Sequence, residues 1–123
     1  MSNVLTLTRD TVPALWETKP RLAESLAEEY GALDVYGWMT VTSAIANELP
    51  VVLTSEHRVG RGVERRTVIA MITEAILCPG PDGYRSSRLR VRRWGFDNYV
   101  WLHQVTGVAA PQESTERVGV VLA

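Results

Sequence analysis

Cysteine is nearly missing from this sequence: Cys78 stands alone, so no internal disulfide braces the fold. A single thiol fits a reducing compartment, or a particle assembled in one. Long apolar runs are missing too. No stretch of about 18 apolar residues occurs, which excludes a membrane-spanning helix. The opening MSNVLTLTRD has neither the basic region nor the apolar block of a secretory signal. The chain is expected to stay in the cytoplasm where it is made.

Signatures of bond-making chemistry are also lacking. His57 and His103 have no carboxylate or cysteine at ligand spacing, and no HxH, HExxH or CxxC occurs. Each histidine reads as a sheet residue with an ordinary hydrogen bond. Cys78, beside Pro79, reads as an idle thiol unless a histidine lies near it in space. The GRG at 60–62 lacks the Lys-Ser/Thr of a phosphate loop and does not complete GxGxxG, so it reads as a strand end. Glu24, Glu28 and Glu29 belong on the wet face of a helix, away from any pocket. The expectation is a non-enzymatic protein with no catalytic residues, no cofactor and no metal.

Lysine is scarce, and arginine is not: Lys19 faces twelve arginines. Codon usage in a GC-rich genome explains that ratio as well as chemistry does. Arginine's planar, weakly hydrated fork nevertheless suits interface ion pairs better than lysine. The net charge of −1 hides a split. Residues 1–57 balance at −5, residues 58–93 at +6 and the remainder at −2. Two regions of opposite charge on one chain allow head-to-tail docking between copies.

What remains describes a globular protein. A hydrophobic content of 46% is ordinary, and 123 residues suffice for one core, so residues 1–123 read as a single domain. Val4 to Thr8 reads as a short strand and residues 12–17 as a turn, with a helix restarting behind a Thr18 cap because Pro20 cannot lie deep in a helix. Leu22, Ala23, Leu26, Ala27 and Tyr30 form one apolar stripe at helical spacing, which Gly31 ends. Val35 to Ser43, aromatic and β-branched, reads as a strand paired with Val51 to His57, the segment AIANELP forming the loop between them.

Residues 63–77 fit two templates. Val68, Ile69, Met71, Ile72, Ala75 and Ile76 match helical spacing without a miss, whereas strict strand alternation puts Glu74 inside; β-branched content favours strand. Periodicity decides for a helix. CPGPDG is then a stop and turn. Leu89 and Val91 alternate with arginines in a strand, GFDN turns, Val100 to Val108 suits a central strand, and Val118 to Leu122 closes as the last. The fold class expected is α+β, an antiparallel or mixed sheet with two helices packed on one face.

The arginines cluster. Arg88, Arg90 and Arg92 project from one face of their strand with Arg85 and Arg93 beside them, while Arg58, Arg61, Arg65 and Arg66 gather at the start of the expected second helix. Three uses are open. They form a solvated face that discourages edge pairing, a protein interface toward the acidic half of another copy, or a nucleic-acid or anionic-ligand surface with Trp94, Phe96, Tyr99 and Trp101 offering stacking planes. Trp16 and Trp38 read as core, Trp94 and Trp101 as interface anchors. The interface set expected is Arg65, Arg66, Arg88, Arg90, Arg92, Trp94 and Trp101.

An N-terminal helix, a strand pair including PVVLTSEH, a helix VERRTVIAMITEAIL and a hairpin of RLRVRRW with YVWLHQV together resemble the tail terminator proteins of long-tailed bacteriophages. The resemblance spans most of the chain, lies in element order and size, and assigns no residue a role. It implies a small α+β structural protein forming a hexameric homo-oligomeric ring between tail tube and head. Its partners would be other virion proteins, and its place the virion after assembly in the host cytoplasm.

Overall fold

The computed structural model describes residues 4–80 and 83–111. It is α+β, with a six-stranded antiparallel sheet carrying helices. The elements run β1 (Leu5–Leu7), α1 (Thr11–Thr18), α2 (Leu22–Tyr30), α3 (Val35–Asn47), β2 (Pro50–Val59), β3 (Gly62–Leu77), a single helical turn α4 (Gly83–Ser86), β4 (Arg88–Arg93), β5 (Phe96–Trp101), a 3-10 turn (Leu102–Gln104) and β6 (Val105–Ala109). The expected strand at Val118 to Leu122 lies outside the described residues.

The helix read at Leu22 is α2, and Gly31 closes it in the left-handed conformation at φ 65°. The turn expected over 12–17 is instead the helix α1, and Thr18 ends it rather than capping α2. The strand expected at Val35 to Ser43 is also a helix. Asp34 caps it, its side chain accepting from the Gly37 amide at 2.8 Å. Trp38, Val41, Thr42 and Ile45 then bury one stripe at helical spacing. Gly37 packs closely there: an added Cβ would stand 3.0 Å from that of Leu33, which would have to give way. The reassignment moves the second core helix from residues 63–77 to residues 35–47.

Residues 62–77 are strand throughout. They pair with β2 from Val59↔Gly62 to Pro50↔Met71, and with β4 from Met71↔Arg92 to Ile76↔Arg88. A bulge between Ile72 and Glu74 changes the phase: Ala70 and Ile72 point inward before it, Ala75 and Leu77 after it. Glu74 is thereby turned out, which removes the objection that strict alternation raised. The same phase change spaces the inward residues 72 and 75 three apart, as a helix would.

Trp94 and Gly95 alone make the β4–β5 turn, with β5 starting at Phe96 inside the expected GFDN turn. The stretch 100–108 is not one central strand. It is broken by the 3-10 turn at Leu102, whose amide donates to the Ser87 carbonyl at 2.9 Å. The strand order is β5-β4-β3-β2-β6, with β1 pairing β3, so this short connection joins the two sheet edges. Four residues, Trp101 to Val105, reach at most about 14 Å. The sheet therefore coils strongly around its inner face, where α3 packs against β3, β6 and β2, and α1 and α2 pack on α3. Leu7, Trp38, Leu53, Ile72, Leu89 and Leu102 are fully buried in the core between them. Trp16, expected in that core, is 38% exposed on α1.

Candidate functional site

With Leu89 and Val91 in the core, strand alternation turns Arg88, Arg90 and Arg92 to the outer face of the sheet. Cross-strand pairing sets Trp101 opposite Arg88, Tyr99 opposite Arg90 and Asp97 opposite Arg92. The arginine comb is thus real, but most of it is engaged. Asp97 accepts from Arg90 Nη2 at 3.1 Å and from Arg92 Nε at 3.2 Å. The hydrogen bond from Arg92 holds the Asp97 carboxyl below its ordinary value; desolvation opposes it, and the Arg90 hydrogen bond and both guanidinium charges reinforce it. The Arg88 guanidinium lies 5.2 Å from the centre of the Tyr99 ring.

The β4–β5 turn carries the aromatics furthest out. Trp94 is 82% exposed and Phe96 77%. Trp94 and Gly95 both have positive φ, 53° and 80°, as a two-residue primed hairpin turn requires. A bulky residue at the first of these positions is strained. The Arg93 guanidinium lies over the Trp94 ring, 4.1 Å from its centre. Tyr99 and Trp101, 47% and 42% exposed, continue the aromatic surface along the edge strand.

Arg65 and Arg66, expected on a helix near the comb, sit instead on a protruding hairpin arm. Beyond Ser55↔Val105, β2 loses β6, and β3 loses β4 before Met71, so from Glu56↔Arg65 to Val59↔Gly62 the ribbon is two-stranded. Arg65 and Arg66 point to opposite sides of it. Arg65 pairs with Glu56 at 3.0 Å and Arg66 with Glu64 at 3.2 Å. The Arg66 hydrogen bond lowers the Glu64 carboxyl. Among the described residues Arg58 and Arg61, near the tip, have no carboxylate partner.

Sequence reasoning missed a third surface. A groove of about 830 Å³ opens between α3 and the β6 side of the sheet, lined by Leu33, Tyr36, Met39, Leu49, Val108 and others. Reading residues 35–43 as a strand hid it; the Asp34 cap signal and the spacing of Trp38, Val41 and Ile45 could have revealed it.

His57, His103 and Cys78 do not share a cleft. His57 is on the arm, bonded through Nε2 to Ser55 Oγ at 2.8 Å, and His103 is in the 3-10 turn. Cys78 follows the far end of β3, its thiol 3.6 Å from the Ser86 carbonyl. Among the described residues no group of three or more His, Cys, Asp or Glu side chains could hold a metal ion, and no helix is long and apolar enough to cross a membrane. Comparison with family models, with curated proteins and with solved structures finds no match for this chain.

Proposed function

We propose that this chain is a structural assembly protein that joins copies of itself head-to-tail into a ring. The observation that carries this reading is the strained, 82% exposed Trp94 at the tip of the β4–β5 hairpin, next to an arginine-bearing sheet face. Backbone strain persists where something else selects for it, and exposed aromatics beside arginine are what interface anchors are made of. The opposite side of the molecule is acidic: Glu24, Glu28 and Glu29 are exposed on α2, which packs outside α3. Two unlike surfaces on one chain support heterologous contacts, the kind that close into rings.

The finer form of this proposal is a tail terminator ring joined to other virion proteins. The element order that resembled that family included a helix at 63–77, and those residues are strand. Light scattering on purified protein over a wide concentration range tests the assembly reading. A closed oligomer is expected, weakened by reversing the charge of Arg88, Arg90 and Arg92 together. A chain that stays monomeric at every concentration overturns the proposal.

A second reading is favoured by one observation: Arg88, Tyr99 and Trp101 interleave a cation with stacking planes on an exposed sheet face, as single-stranded nucleic acid requires. Against it, Asp97 already engages Arg90 and Arg92. Its mark would be affinity for an oligonucleotide falling steeply with salt.

A further inference from the structure

Among the described residues, exposed large hydrophobic side chains are not scattered. Apart from Val4 and Trp16 they form three groups: the β4–β5 hairpin, the groove rim (Tyr36, Met39, Leu49) and the arm (Val59, Val63, with Ile69 at its base). The arm is the least self-sufficient. A two-stranded ribbon with neither face packed is marginal in water, yet Val59 is 53% and Val63 64% exposed. The groove is the converse, a concave surface lined largely by apolar side chains.

We propose that the β2–β3 arm of one copy docks in the α3–β6 groove of the next. This inference rests on the assembly reading and names the surfaces that meet. Charge agrees with it. Among the described residues Asp34 is the one charged residue lining the groove, whereas the arm tip brings Arg58 and Arg61, which have no carboxylate partner among those residues. The tip is narrow, because Gly60 and Gly62 flank Arg61 and leave only Val59 and Val63 as apolar side chains to insert.

Geometry selects a second copy over the same chain. The groove is lined by Pro50 and Val51 at the start of β2, and the arm tip is Val59 at its end. At strand rise they stand roughly 27 Å apart on one rigid element. No chain reaches its own groove, so each copy gives its arm forward and receives one from behind.

Two variants and their mixture test this. In the first, residues 58–63 are replaced by Asn-Gly, which closes His57↔Glu64 with a two-residue turn. In the second, Thr40→Arg puts a cation on the groove wall. Wild-type protein should sediment as a closed oligomer, and each variant alone as a monomer with an unchanged circular dichroism melt. An equimolar mixture should give a one-to-one dimer and nothing larger, because only one arm and one groove stay intact. An arm-shortened variant that assembles at wild-type concentrations overturns the inference and leaves the assembly reading standing. So does a folded mixture that remains monomeric while wild type assembles. A wild type that never associates overturns both.

Discussion

Trp94 holds a conformation that its side chain disfavours. In the left-handed region a non-glycine residue costs about 1 kcal/mol or more, and asparagine is what the first position of this turn type prefers. Replacement also forfeits the Arg93–ring contact, about 0.5–1 kcal/mol at an exposed site. The two effects nearly cancel. Trp94→Asn is therefore predicted to melt within about 4 °C of wild type while associating at least tenfold more weakly. A variant that melts far lower but assembles normally would assign Trp94 to the fold instead. Trp38 poses the opposite problem. It is fully buried, its ring centre 6.2 Å from that of Tyr30 at a tilt of 55°, and its Nε1 has no hydrogen-bond partner among the described residues. An orphaned buried donor costs roughly 1–3 kcal/mol. Trp38→Phe sheds that donor and is expected to cost less than about 2 kcal/mol, against about 3–5 for Trp38→Ala. Denaturant unfolding of the two variants measures the difference; equal losses would show that Nε1 is satisfied in solution.

Among the elements, the β4–β5 hairpin depends on one carboxylate. Because the folded state lowers the Asp97 carboxyl, its clamp on Arg90 and Arg92 is complete above the ordinary value of 3.8 and is lost as pH falls through the lower folded value. Asp97→Asn should therefore be less stable than wild type at neutral pH. The gap should close below about pH 4, as read from thermal melts across a pH series. A gap unchanged into strong acid would mean that packing, not the ion pairs, is what the substitution disturbs. This hairpin was legible from sequence, since Leu89 and Val91 alternate with arginines and Gly95 marks the turn. Asp97 was not, because only cross-strand register reveals that it faces two arginines. Element type failed where local composition opposed tertiary packing. YGWMTV has strand composition but lies in α3, held by the Asp34 cap and by burial of Trp38 and Val41. The helix also ends without the usual glycine: Glu48 takes the left-handed position at φ 52°, its carboxylate bonded to Arg9 at 3.0 Å. In β3 a single bulge disguised a strand as a helix, since two runs of period two, joined out of phase, imitate a period near 3.6.

For the whole molecule the balance of −5 over residues 1–57 against +6 over residues 58–93 becomes a spatial division. The helices on one side carry Glu24, Glu28 and Glu29, and the outer sheet face and arm carry the arginines. Four of those arginines, Arg65, Arg66, Arg90 and Arg92, are already paired within the chain through exposed bridges, so charge between copies should steer encounter more than it holds the product. Buried aromatics and the arm would supply the holding. Raising salt from about 0.05 to 0.5 M shrinks the screening length from over 10 Å to under 5 Å. The association rate, followed by stopped-flow light scattering, should fall about tenfold or more while the dissociation rate after dilution stays within a factor of about two. Reversing Glu24, Glu28 and Glu29 to lysine should slow association similarly and make it faster, not slower, as salt rises. Dissociation that quickens in step with salt would place the binding energy in ion pairs and remove the aromatic tip and arm from the interface.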